Sequence, residues 1–140
     1  MADRLQLDVI TPERRVLSEE VDSATVPGAG GELGILPGHT PLISQLGTGV
    51  LSYTQGGTTA RLLVSGGFVE VNGERVSVLA DLAERPEEVR ADRARAERDE
   101  AERQLAAFSG SPEELAALRA QLDRATTRLQ LSTGEGAARQ

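Results

Sequence analysis

The 140-residue chain has no cysteine, no tryptophan and a single histidine, and only two phenylalanines and one tyrosine among its apolar residues. Without cysteine there is no disulfide framework, no thiolate nucleophile and no thiolate zinc or iron–sulfur site, and a reducing compartment fits. Lysine is absent too, so all 15 basic residues are arginine, a usage that points to a high-GC bacterial coding bias. With 22 acidic residues the formal charge is −7. Acidic balance and scarce aromatics argue against nucleic-acid binding, which needs basic grooves and stacking platforms. No window approaches the roughly 20 apolar residues that span a bilayer, so membrane association is expected through partners only.

What is present is aliphatic: a core of Leu, Val, Ile and Ala, in a length that suits one domain with an appendage. The texture changes near Arg85-Pro86. Before it, glycine punctuates short runs of Val, Leu and Thr. Leu5, Leu7 and Val9 alternate with polar neighbours as on a half-buried strand, and Thr11-Pro12 ends the run. Val16 and Leu17 open another apolar stretch, and Val21–Val26 reads as a strand closed by Pro27-Gly28. Gly56-Gly57 predicts a hairpin turn, and Asn72-Gly73 predicts a second of type I′. The expected fold is therefore an antiparallel β-sandwich over residues 1–85, followed by an antiparallel two-helix hairpin over residues 86–140.

The second part is helical by propensity and period. Val89, Ala94, Ala101, Leu105 and Phe108 share one stripe, with Pro86 at the start. Ser109-Gly110-Ser111 breaks it, and Ser111-Pro112-Glu113-Glu114 combines an N-cap, a first-turn proline and a capping-box glutamate. Leu115, Leu118, Leu122, Ala125 and Leu129 then recur at alternating spacings of three and four, the seam of packed helices. Residues after about 131 are expected to form a frayed tail.

Gly30–Leu42 is the densest feature, with four glycines, two prolines, Glu32 and His39. It reads either as a surface loop with its charge and imidazole in water, or as a stiff contact surface. It is not a phosphate cradle, because no Gly-Lys-Ser/Thr follows. A catalytic base or metal ligand would have to use His39, and no second His, Cys or Gly-x-Ser-x-Gly motif stands ready to join it. A non-catalytic protein is expected.

Gly31-Glu32-Leu33-Gly34-Ile35-Leu36-Pro37-Gly38-His39-Thr40-Pro41-Leu42 resembles the signature of epsilon subunits of F-type ATP synthases. Ser65–Val71, continuing through Val76–Asp81, is similar to that family's other long motif, and Leu7–Pro12 agrees with both. The resemblance covers residues 3 to about 131. It implies a flattened sandwich of about ten short strands bound to the gamma subunit and to the c-subunit ring, with Glu32 and His39 near the ring. It also implies a peripheral position on the cytoplasmic side of the cell inner membrane or plasma membrane, and a hairpin that extends toward the catalytic beta subunit and inhibits ATP hydrolysis. Arg119, Arg124 and Arg128 would form the basic ridge that meets beta; a solvated helix face is the other reading of the same residues.

Some bacterial members bind ATP at the folded hairpin through Ile/Leu-Asp-x-x-Arg-Ala on the first helix and arginines on the second. Here Val89-Arg90-Ala91-Asp92-Arg93-Ala94 aligns with that motif, so Arg93 and Ala94 fit while Arg90 replaces the aspartate. Arg124 and Arg128 match the second-helix positions. ATP is thus an alternative regulatory ligand, no other cofactor is implied, and an unrelated helical-hairpin adaptor is the third reading.

Overall fold

A computed structural model describes residues 4–133. The chain divides after Arg85 into two compact units, Met1–Arg85 and Pro86–Gln140.

The first unit is all β. Its eight strands are β1 (Leu5–Ile10), β2 (Arg15–Val21), β3 (Ser23–Gly28), β4 (Gly31–Ile35), β5 (His39–Gln45), β6 (Thr48–Gln55), β7 (Thr58–Gly73) and β8 (Arg75–Glu84). Hydrogen-bonded neighbours run β2-β1-β8-β7-β6-β3-β4, and β5 pairs with β7. The pairs are antiparallel except β1 with β8, where Leu7 lies against Val76 and Val9 against Val78 in parallel register. The sandwich class expected from the alternating pattern holds. Its strands are fewer than about ten because β7 is one continuous strand of 16 residues.

That long strand joins the layers. Up to Ser65 it pairs with β6, and from Phe68 onward with β5, while β8 follows its other edge. The change of partner falls on Gly66 and Gly67, whose φ angles of 70° and 101° L-residues rarely adopt. The enclosed core is aliphatic: Leu5, Leu7, Val9, Val26, Val64, Val69 and Val76 are all completely excluded from solvent. Each lies in the inward phase of its strand, as a two-residue period requires.

Several local expectations change. Val21 ends β2 and Asp22 separates it from β3, so Val21–Val26 is not one strand, while Pro27-Gly28 are the last two residues of β3 and close it. Gln55 pairs with Thr58 across Gly56-Gly57, both at positive φ, as the type I′ class requires. The second turn differs. Asn72 stays in the ladder opposite Arg75, and only Gly73 of the central pair Gly73-Glu74 has positive φ, which fits type II′ rather than I′. Nor is Gly30–Leu42 a long loop: β4 and β5 occupy most of it, because backbone pairing to β3 and β7 satisfies polar groups that a loop would leave to water. Pro41 fits at the register shift between His39 and Leu42, where no ladder donor is needed.

In the second unit a 3-10 turn, Pro86–Glu88, precedes α1 (Ala91–Ala106) and α2 (Pro112–Thr133). Arg90 is extended and offers no side-chain cap, so the α-helix begins five residues after Pro86. The start of α2 is the expected capping box. Glu114 N–H donates to Ser111 Oγ at 3.1 Å, and Ser111 N–H donates to Glu114 Oε1 at 2.8 Å. The bond from Ser111 N–H, with the Ser111 hydroxyl beside it, holds the Glu114 carboxyl below its ordinary range. Ala94 and Ala101 of α1 and Leu118 and Ala125 of α2 are buried, as the stripes predict; Thr127 and Leu131 add to them. α2 continues through Thr133, past the expected start of the tail, and the remainder of that tail lies outside the described residues.

Candidate functional site

The geometry offers three surfaces, two on the sandwich and one within the hairpin.

The first is the turn between β4 and β5. Pro37 and Gly38 form its corner, with Gly38 at φ 86° and His39 N–H donating to Leu36 O at 3.1 Å. Gly38 N–H donates to Gly73 O at 3.0 Å and ties this turn to the one between β7 and β8. Leu36 stands 64% exposed beside it. His39 Nδ1 lies 2.7 Å from Thr40 O. A carbonyl only accepts, so Nδ1 carries the proton and Nε2 of the neutral ring is left as an acceptor. Glu32 is exposed near the other end of β4, opposite Pro27, and takes no ion pair among the described residues. The structure does not bring Glu32 and His39 together: three strand steps, about 10 Å, carry the chain from Glu32 to Ile35 before the turn begins.

The second surface escaped the sequence reading. Residues out of phase with the core on β1, β8, β7 and β5 point outward, and several are apolar. Ile10 lies opposite Leu79, Leu79 opposite Phe68, and Ile43 pairs with Glu70 one outward position along from Phe68. Ile43 is 69%, Phe68 53% and Leu79 47% exposed, on adjoining strands. A contiguous apolar row of this kind marks an interaction surface better than single exposed residues do. The signal was available: Phe68 precedes the inward pair Val69 and Val71, and Leu79 interrupts the inward series Val76, Val78, Ala80.

At the near end of the same outward face, Asp8 is buried. It accepts from Ser18 Oγ at 2.7 Å, Gln6 Nε2 at 3.3 Å and Arg75 Nη1 at 2.8 Å. Burial alone would raise its pKa. The hydrogen bonds from Ser18 and Gln6, with the positive charges of Arg75 and Arg15, outweigh that and hold the carboxyl below its ordinary value of 3.8.

The third surface is a groove of about 300 Å³ between α1 and α2, lined among others by Arg93, Glu97, Glu100, Gln104, Arg124 and Arg128. The three arginines singled out on the two helices are thus brought to one concavity. Glu97 and Glu100 share it and offset part of its positive charge. Glu100 is held by Gln104 Nε2 at 2.8 Å and by Arg103, which together lower its pKa. Glu97 pairs with Arg128 at 3.3 Å. Arg119 does not line this groove and is exposed. At 100° per residue it is turned about 140° from Arg124, so Arg119, Arg124 and Arg128 do not form the single ridge their spacing suggested.

The family described as ATP synthase, Delta/Epsilon chain, beta-sandwich domain matches residues 4–86. The ATP synthase epsilon chain of Carboxydothermus hydrogenoformans is 50% identical over 106 residues, covering 76% of this chain and 79% of that one. That of Desulforamulus reducens is 50% identical over 105 residues, 75% of this chain and 80% of the relative. Among solved structures, a chain of the Euglena gracilis mitochondrial ATP synthase OSCP/F1/c-ring assembly has a TM-score of 0.79 at 23% identity, covering 99% of this chain and 83% of its own. A chain of the Tetrahymena thermophila mitochondrial ATP synthase central stalk and c-ring has a TM-score of 0.65 at 15% identity, covering 91% and 96%. At those identities the structural likeness speaks for the fold, and the sequence matches carry the kinship. With more than half its length matched by the family and half-identical relatives over three quarters of it, the chain belongs to the delta/epsilon chain family of ATP synthase.

Proposed function

We propose that this chain is a non-catalytic central-stalk subunit of an F-type ATP synthase, joining the gamma subunit to the c-subunit ring and restraining ATP hydrolysis through its hairpin. The observation that carries the reading is the exposed row Ile43, Phe68 and Leu79 on a rigid, extensively paired sheet. A rotor component makes and breaks no bonds; it must hold its neighbours firmly enough to pass torque, which asks for an apolar, preformed contact surface. The row is assigned to gamma. The β4–β5 turn with Leu36 and His39, together with Glu32, is assigned to the polar loops of the ring, where Glu32 would meet basic groups. Among the described residues no helix is long and apolar enough to cross a membrane, and the proposed place is peripheral, on the cytoplasmic face of the cell inner or plasma membrane.

The hairpin supplies regulation in this reading. Extended along gamma, it would present Arg119, Arg124 and Arg128 to acidic residues of the catalytic beta subunit and block rotation. A second reading, in which the closed hairpin binds ATP, is favoured by the convergence of Arg93, Arg124 and Arg128 on one groove, and disfavoured by Glu97 and Glu100 beside them and by arginine at position 90.

One deletion tests both. Removal of all residues after Arg85 leaves the aliphatic core intact, since its members all lie between Leu5 and Ala83. The truncated chain is expected to keep its sheet by circular dichroism and its affinity for gamma, while ATP hydrolysis by the reconstituted complex rises several-fold. Unchanged hydrolysis would remove the inhibitory role. Calorimetric heat of ATP binding in the full chain, absent from the truncated one, would establish the second reading, and no heat in either would end it.

A further inference from the structure

We infer that Glu97 and Arg128 form an interhelical latch that holds the hairpin closed without any ligand. The inference deepens the reading above, because it rests on the hairpin having an open state.

Three observations lead to it. The buried contact surface of the hairpin is thin: both buried residues of α1 are alanines, and α2 contributes Leu118, Ala125, Thr127 and Leu131. The Thr127 hydroxyl donates to Asp123 O at 2.7 Å within its own helix, so it adds no bond across the seam. Apolar burial of this kind leaves closure marginal, and a single polar contact can then decide it.

The ion pairs differ in what they join. Arg90–Asp92, Arg98–Asp99 and Arg103–Glu100 each link residues within three positions, and such pairs persist whether or not the helices separate. Glu97 and Arg128 are 31 residues apart and meet at 3.3 Å only because α1 and α2 lie side by side. Opening the hairpin must break this contact.

The pair is also partly withdrawn from water. The Arg128 side chain is 19% exposed and that of Glu97 48%. An ion pair so placed is screened less than a fully exposed one, and Arg93 and Arg124 in the same groove add to the positive charge that Glu97 faces. Glu100 cannot readily take over, since Arg103 and Gln104 already engage it. Loss of Glu97 would therefore remove one of the two carboxylates that line the groove with Arg93, Arg124 and Arg128. Loss of Arg128 would leave Glu97 without its cross-helix partner.

The test is a double-mutant cycle on the full chain, Glu97→Gln, Arg128→Gln and both together, read by amide hydrogen exchange along α2 without nucleotide. Each single variant is expected to raise the opening of α2 by about two- to five-fold, the range for partly exposed pairs. The double variant should open no more than the worse single one. Wild-type opening should increase between about 0.1 M and about 1 M salt, as the screening length falls from roughly 10 to roughly 3 Å; the double variant should not respond. Additive single effects, or a wild type indifferent to salt, would overturn the latch. Exchange in β7 and β8 serves as the control for general loosening. If Arg128→Gln disturbs those strands, Arg128→Lys decides instead: it should retain salt-sensitive closure, and behaviour like Glu97→Gln would count against the pair. Hydrolysis by complexes carrying Glu97→Gln separates the two claims. A coupled latch with unchanged hydrolysis defeats the inhibitory reading alone, and additive variants beside a truncation that still stimulates hydrolysis defeat the latch alone.

Discussion

Asp8 shows how much one side chain decides in a sheet with few polar contacts inside it. Three donors converge on its carboxylate, from β1 itself, from β2 and from β8, so it fastens the strands at the parallel junction. Asp8→Ala would take from Ser18 and Arg75 the carboxylate they donate to, while Gln6 keeps its bond to Ser18 Oγ, and is expected to cost about 1–3 kcal/mol in urea unfolding. The pH dependence has a definite sign. The folded carboxyl titrates below 3.8, its ordinary value, so its contribution is complete above that value and is lost as pH falls through the lower, folded one. Acid unfolding of Asp8→Ala should accordingly be flatter below about pH 4 than that of the wild type, with the two curves running parallel at neutral pH.

At the scale of elements, the clearest demand on sequence is the bend of β7. A Cβ on Gly67 would run into the carbonyl oxygen of Leu79, a backbone atom held in the β8 ladder, at a φ of 101°. A Cβ on Gly66 would meet the Asp81 carboxylate, which can swing aside. Gly67→Ala should therefore destabilise by about 3 kcal/mol and Gly66→Ala by about 1 kcal/mol, measured as shifts in the unfolding midpoint. If the two cost the same, the bend does not depend on the fixed carbonyl. The same segment marks the limit of what could be read from sequence. Val69, Val71, Val76 and Val78 announced strands through their alternation, and Ser111 with Glu114 announced the start of α2, because both signals are local. Whether Ser65–Phe68 breaks a strand or bends it depends on which partner each half finds, and pairing is a long-range property. The turn at Gly73 likewise hinged on one residue of register, fixed by the Asn72–Arg75 pair and not by the dipeptide. Among the candidate site residues, Arg93, Arg124 and Arg128 converge because helical spacing and an antiparallel return determine it. Glu32 and His39 part because an unforeseen strand lies between them.

For the molecule as a whole, the division after Arg85 separates the sandwich, to which attachment is assigned in the proposed function, from the hairpin, to which regulation is assigned. The family match ends at residue 86, so the kinship it establishes belongs to the sandwich. Attachment should accordingly reside there, and the outward row gives it a location. Half-exposed Phe68 and Leu79 face each other across β7 and β8, where removing either from the surface loses little core packing but a large share of any apolar contact. Phe68→Ser is expected to leave the unfolding free energy of the isolated chain within about 1 kcal/mol of wild type, as exposed strand positions usually allow. Its affinity for purified gamma subunit should fall by about 2 kcal/mol, roughly thirty-fold, in calorimetric titration. Leu79→Ser should behave alike, and the double variant should lose less than the two separate losses combined, because the neighbours share one contact. Full affinity in both single variants would move the gamma interface off this face and leave the apolar row without its assigned partner.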